Sequence, residues 1–244
     1  MLGKAKAKYI QSLGQKKHRD NEGLFIAEGP KVVAELLQSI PQQVQEVYAV
    51  KDWIKDNMTN NIQSIITEVS HEDLEKLSQL KTPNQVVAVV RQFEPEKTIE
   101  IKGMIALALD TTQDPGNLGT IIRIADWFGI SRIIASDDSA DVYNPKVVQA
   151  SMGSMARVKI FYTDLLAWLK QQKDIRLYAT ALEGKDITKM HSLHEGLIII
   201  GNESRGIQEE ILSMANEKIT IPKKGKAESL NAAVATGIIL SHLC

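Results

Sequence analysis

Polar residues that could bind or pair with a ligand, Asn117, Arg123, Glu203, Ser229 and Asn231, stand beside apolar runs. A guanidinium takes a carboxylate or phosphate, and a carboxylate takes hydrogen-bond donors or a cation. They fall in three separate segments. In the first, LDTTQDPGNLGTIIRIADWFGI from Leu109 to Ile130, an apolar strand ends at Asp110 and Pro115-Gly116 turns the chain. A helix is then expected from about Asn117, and its first turn would offer free N–H groups to an anion. Arg123 falls among apolar neighbours in the second turn of that helix, where a guanidinium needs a carboxylate or phosphate partner. Asn117 as a helix cap with Arg123 in a structural ion pair is the alternative reading.

In the second segment, LIIIGNESRGI, an apolar strand runs into Gly201, Asn202 and Glu203, and a helix is expected from about Gly206. Ligands of open parallel sheets bind beyond the carboxyl ends of the strands, which is where this Gly-Asn-Glu falls. Gly201 would allow close backbone approach, and Glu203 could accept hydrogen bonds or pair with Arg123. Alternatively Glu203 merely complements the dipole of the following helix. The third segment, ITIPKKGKAESLNAAVATG, carries a basic loop with Lys223, Lys224 and Lys226, suited to backbone phosphates, and then Ser229-Leu230-Asn231 opening the last helix. Ser229 would be an ordinary helix cap in the bland account. The loop is not a nucleoside-triphosphate motif, because Gly225-Lys226 is followed by Ala227, and no GxGxxG follows a strand. His191 and His194 lie three apart with no second ligand cluster, so no metal is expected.

These segments need a frame. After Gly103 the runs MIALAL, RIIAS, RVKIFY, IRLYATAL, LIIIGN and EKITIP show little alternation, as strands buried on both faces do, and helical stretches separate them. The reading is an α/β domain with a mostly parallel sheet over 104–244. From Leu24 to Phe93, shorter β-branched runs alternate with amphipathic stretches, again α/β, and Ser70 followed by Asp73 marks a helix start. The polar stretch between Gln92 and Gly103 reads as an interdomain linker, taken as 96–103, after a first domain of 1–95.

Composition narrows the classes. The 244 residues are 43% apolar, with 29 basic and 30 acidic side chains, so any nucleic-acid surface must come from local clustering. One cluster opens the chain: Lys4, Lys6, Lys8, Lys16, Lys17 and Arg19 precede the first acidic residue, Asp20. Lys16, Lys17 and Arg19 in it are candidate nucleic-acid contacts, whether or not the arm is ordered on its own. The arm lacks the apolar stretch of a signal peptide, and no run is long and uncharged enough for a bilayer. The single cysteine, Cys244, permits no disulfide within one chain, and a soluble protein of the reducing cytoplasm is expected.

Taken together, QDPGNLGTIIRIA, IIIGNESRGI and IPKKGKAESLNAAVA resemble the three ordered motifs of the SpoU (TrmH) family of RNA 2′-O-ribose methyltransferases, within the SPOUT superfamily. KKHRDNEGLFIAEGPKVVAELL is similar to the start of the small ribosomal-protein-like substrate domain that precedes many of these catalytic domains. The resemblance implies a sheet whose C-terminal segment threads into a deep trefoil knot, S-adenosylmethionine bound by the knot loops, and a homodimer formed through the catalytic domain. It assigns Asn117 and Arg123 to the first-motif catalytic pair, Glu203 to the second-motif acid, and Ser229 and Asn231 to the third-motif polar pair. Gly201, Ile221 and Leu230 match cofactor-holding positions, with Asn202 beside them and Thr180, Ala181 and Leu182 as a wall of the pocket. Ser204 stands where the family usually has Gly, and Lys223-Lys224 where Met is common, departures that bear on RNA specificity. Ribosomal RNA is favoured over transfer RNA as substrate by analogy of domain layout. The rival readings are a noncatalytic RNA-binding protein of ribosome assembly and a base-methylating relative.

Overall fold

The computed structural model describes residues 2–57, 63–80, 82–94 and 98–244. It divides into two compact units, residues 1–94 with 141–156, and residues 95–140 with 157–244. Residues 95–97, the last of the expected first domain and the first two of the expected linker, lie outside the described residues. The rest of that linker is not free: Ile101 is buried in the core of the second unit and Ile99 packs against it.

The first unit opens with α1 (Lys4–Ser12) and α2 (Lys16–Glu22), so the basic arm is helical. Its apolar residues recur at helical spacing, and Ala7, Ile10 and Leu13 are buried. Then follow β1 (Leu24–Glu28), α3 (Pro30–Ser39), β2 (Val44–Ala49), α4 (Lys51–Asn57), β3 (Ile66–Glu68), α5 (His71–Glu75) and β4 (Val86–Arg91). The sheet order is β1-β4-β2-β3, with only β2 and β3 parallel. Ser70 caps α5 by accepting from Asp73 N at 3.1 Å, as its sequence signature predicts.

The second unit is built on β5 (Ile105–Leu109), α6 (Pro115–Trp127) and β6 (Arg132–Ser136). Residues 141–156, which carry α7 (Pro145–Ser151), belong to the first unit, where α7 packs against β1. The second unit resumes with β7 (Lys159–Thr163), α8 (Leu165–Leu169), β8 (Leu177–Asp186), β9 (Gly196–Ile200), α9 (Glu209–Met214), β10 (Glu217–Thr220) and α10 (Ala232–Leu243). Its six strands run in the order β10-β8-β9-β5-β6-β7, with every pairing parallel. The unalternating apolar runs are explained by burial on both faces: Leu107, Ala108, Ile133, Ile134, Leu197 and Ile198 are all fully buried. Each large aliphatic buried in this way stabilises the fold by about 1.5–3 kcal/mol. The chain departs from β5 toward β6 on one side, while β9, on the other side of β5, continues outward through β8 and β10. Loops after β5 and β9 therefore meet at a topological switch point, the usual ligand position in such sheets. Among the described residues no helix is long and apolar enough to cross a membrane.

Arg19, expected as a nucleic-acid contact, is instead a buried structural residue. Arg19 is only 2% exposed, donates to Asp141 Oδ2 at 2.6 Å, and gives further hydrogen bonds to the carbonyls of Leu13 and Gly14. Its guanidinium pins residue 141 and the α1–α2 corner within the first unit, which leaves no face for a phosphate. Tyr143 reinforces the same attachment, packing between Phe25 and Phe93 and accepting from Phe93 N at 2.8 Å. Burial pushes its phenol up to about 12, so it stays protonated. Lys17 is exposed, as a phosphate contact must be, and Lys16 makes only a surface pair with Asp20 at 3.1 Å.

Candidate active site

Pro115 at the first position of α6 and Asp114 as its cap, accepting from Asn117 N at 2.8 Å, start the helix two residues earlier than expected. Asn117 is therefore not the cap, and its side chain is free to act. Its Nδ2 donates to Glu203 Oε1 at 2.6 Å, and its Oδ1 accepts from Asn231 Nδ2 at 2.8 Å. Residues from three distant segments thus meet at one amide.

The direction of these bonds is fixed by α10. Asn231, not Ser229, is the cap of that helix, and its Oδ1 accepts from Ala233 N and Val234 N at 3.0 and 3.2 Å. Only an oxygen can do that, so the Asn231 amide group must face Asn117, whose own amide group must in turn face Glu203. The chain of donors ends on a carboxylate held as an acceptor. Among the described residues its second oxygen, Oε2, receives no hydrogen bond.

Beside this cluster lies a cleft of about 830 Å³, within the range of small-molecule sites. All seven residues expected to hold a cofactor line it: Thr180, Ala181, Leu182, Gly201, Asn202, Ile221 and Leu230. Glu203 and Ser229 line it too, as do Lys223, Lys224 and Arg205, whereas Asn117, Asn231, Arg123 and Lys226 do not. The wall at 180–182 comes from a register shift. Strand β10 pairs Lys218 with Ala179 and then Ile219 with Lys185, which leaves residues 180–184 between the two paired stretches. Gly184 is needed there, since a Cβ would stand 2.6 Å from Lys218 O.

Two side chains act differently from expectation. A Cβ on Gly201 would meet Gly206 C at 2.5 Å and Ile207 N at 2.6 Å, so the turn closing on itself already requires glycine there. The Asn202 side chain is spent within that turn: Oδ1 accepts from Ser204 N and Arg205 N, and Nδ2 donates to Thr111 O at 2.8 Å. Helix α9 starts later than expected, capped at Gln208.

Arg123 is exposed, has no carboxylate partner among the described residues, and does not pair with Glu203, whose partner is Asn117. Six residues of helix separate Asn117 from Arg123, so their side chains leave α6 about 120° apart. On the exposed face with Arg123 are Thr120 and Trp127, the latter 84% exposed. Sequence reasoning missed Asp114 and the partners of the 201–208 loop; a carboxylate directly continuing an apolar strand, as at Asp110, was the available signal.

Comparison with known proteins bears on the same residues. Residues 104–241 match the SpoU rRNA methylase family, and residues 4–88 match the MRM3-like substrate binding domain. The chain is 32% identical to the 23S rRNA (guanosine(2553)-2′-O)-methyltransferase RlmP of Bacillus subtilis, over 98% of this chain and 95% of that protein. A TrmH-family protein from Porphyromonas gingivalis superposes with a TM-score of 0.85 at 35% identity, over 99% and 98% of the two chains. The AdoMet-bound rRNA methyltransferase of Sinorhizobium meliloti does so with a TM-score of 0.85 at 30% identity, over 99% and 95%. The three-segment cluster on a parallel sheet, the family match over more than half of the chain and full-length relatives of both sequence and structure agree: this protein belongs to the SpoU rRNA methylase family.

Proposed function

We propose that the protein transfers a methyl group from S-adenosylmethionine to a ribose 2′-hydroxyl of ribosomal RNA. The observation that carries this reading is the Asn231–Asn117–Glu203 hydrogen-bond chain, which aims a carboxylate beside the cleft formed by 180–182, 201–203 and 221–230. The cleft fits the cofactor chemically. Leu182 and Leu230 line it yet are 78% and 47% exposed, apolar surface that a planar base would cover. S-adenosylmethionine supplies an already activated methyl group.

The protein has then to align the nucleophile and manage its proton. Glu203, with Oε2 open, accepts the 2′-hydroxyl proton directly or through a water. Arg123 cannot serve as a base, since a guanidinium stays protonated in proteins, and instead holds a phosphate or the developing alkoxide. Lys223, Lys224 and Lys226 in the basic loop, with Lys16 and Lys17 in the first unit, supply phosphate contacts, and residues 1–95 act as the RNA-holding domain for a catalytic domain at 104–244. The relatives named for ribosomal RNA favour that substrate over transfer RNA, and a cytoplasmic location beside that substrate is part of the proposal.

A homodimer through the second unit completes the proposal, with the C-terminal segment knotted as in the family. α6 and α10 pack together, and Trp127 and Val234 on them are 84% and 52% exposed, a surface suited to a second copy. Sedimentation as a monomer at micromolar concentration would refute it. The central test is transfer of labelled methyl to unmodified ribosomal and transfer RNA beside Arg123→Ala, with digestion to nucleosides. A 2′-O-methylated nucleoside absent from the variant supports the reading; a methylated base, or no cofactor binding, overturns it. Full turnover by Arg123→Lys would exclude a specific guanidinium role.

A further inference from the structure

The two residues that follow Leu109 at the carboxyl end of β5 grip both ends of the turn that carries Glu203. Asp110 is 1% exposed; its Oδ2 accepts from Gln208 N and its Oδ1 from Gln208 Nε2, each at 2.7 Å. Gln208 is the last residue before α9, where the turn ends. Thr111 takes the other end through its carbonyl, which accepts Asn202 Nδ2. Between these grips Asn202 N and O pair with Gly206 O and N at 3.0 and 2.9 Å, closing the turn.

Thr111 adopts φ 61, a left-handed conformation that is unusual for a β-branched residue and persists only where its surroundings impose it. Those surroundings are on hand. Thr111 N donates to Ser136 Oγ at 2.8 Å, Ser136 Oγ donates to Asp138 Oδ1 at 2.6 Å, and Thr111 Oγ1 lies 3.1 Å from Asp138 Oδ2. The unusual backbone turns the Thr111 carbonyl toward the Asn202 amide.

We propose that Asp110 and Thr111 are positioning residues: they brace the 201–208 turn so that Glu203 meets Asn117 in one fixed geometry, without themselves touching substrate. Resting on the methyl-transfer reading, the proposal adds that Asp110 acts as a double hydrogen-bond acceptor and not as a charge or a base. An asparagine could still hold Gln208 at two points, its one oxygen accepting from Gln208 N while its amide group donates to the carbonyl end of a turned Gln208 side chain.

The test compares Asp110→Ala, Asp110→Asn and Gln208→Ala, the last being an exposed side chain whose removal leaves the fold intact even if Asp110→Ala does not fold. Two quantities are read: methyl transfer with cofactor affinity, and amide hydrogen exchange across 201–208 in the protein alone. Asp110→Ala is expected to slow kcat on the order of 10- to 100-fold, as misplacement of a reacting group does, with cofactor Kd nearly unchanged. Exchange across the turn should quicken in Asp110→Ala, and by less in Gln208→Ala, while Asp110→Asn stays near the parent on both readouts. Asp110→Asn as slow as Asp110→Ala, or exchange unchanged in both Asp110→Ala and Gln208→Ala beside an active parent, overturns the brace. A parent protein that methylates no RNA overturns the transfer reading, and with it the catalytic half of this proposal, whereas the exchange arm still decides whether the turn is braced.

Discussion

Removing the Asn117 side chain isolates the amide that joins the three motif segments. In Asn117→Ala, Glu203 loses its 2.6 Å donor, while Asn231 keeps its two bonds to the start of α10 and the helix remains capped. A hydrogen bond to a charged group is worth about 1.5–3 kcal/mol net. At about 1.36 kcal/mol per factor of ten, losing it from the reacting geometry slows the chemical step about 10- to 150-fold. Because Asn117 does not line the cleft, cofactor affinity should stay within about a factor of two, well under the ~1.4 kcal/mol of a tenfold change. Single-turnover methyl transfer and calorimetric cofactor binding measure the two quantities separately. Asn117→Asp sharpens the test by placing a second carboxylate against Glu203, and like charges raise each other's pKa. The acid limb of its rate profile must therefore move to higher pH. Unchanged turnover in Asn117→Ala, or a loss carried wholly by cofactor affinity, would refute the orienting chain.

Breaking the buried Arg19–Asp141 pair with Arg19→Met should cost about 3–5 kcal/mol. At roughly 2–4 °C per kcal/mol that lowers Tm by about 6–20 °C, and a calorimetric shift of a degree or two would contradict the pinning role. Burial raises the Glu28 carboxyl above the usual range, with the Ser78 hydroxyl and Gln79 N–H opposing it. The folded state thus holds this proton more tightly than the unfolded chain does. Its contribution to stability is full below the ordinary glutamate pKa and falls away as pH rises through the raised value. Glu28→Gln should flatten that part of the Tm–pH curve, and parallel curves for the two proteins would rule it out. Gly184→Ala drives a Cβ into Lys218 O, so it should cost about 1–3 kcal/mol and weaken cofactor binding; calorimetry showing parent-like affinity would separate the register shift from the cleft.

Much of this protein was written locally. The parallel sheet followed from apolar runs such as LIIIG and IALAL, because a strand buried on both faces has no need to alternate. Ser70 announced α5, while Asn117, Glu203, Asn231 and the cleft residues were marked through the resemblance of their segments to the family motifs. What local pattern could not supply was who partners whom. The sequence left Glu203 either to accept hydrogen bonds or to pair with Arg123, and the fold gives it to Asn117, six residues from Arg123 and on another face of the same helix. It read Arg19 as a phosphate contact, while Asp141, 122 residues away, claims that guanidinium in a site closed to water. It read Gly201 as allowing close backbone approach, and only the fold shows that the returning turn at Gly206 and Ile207 is what approaches. The common reason is range: propensity, capping and burial pattern act over a few residues, whereas the orientation of an amide or the partner of a charge is set by atoms that only the finished chain brings within 3 Å.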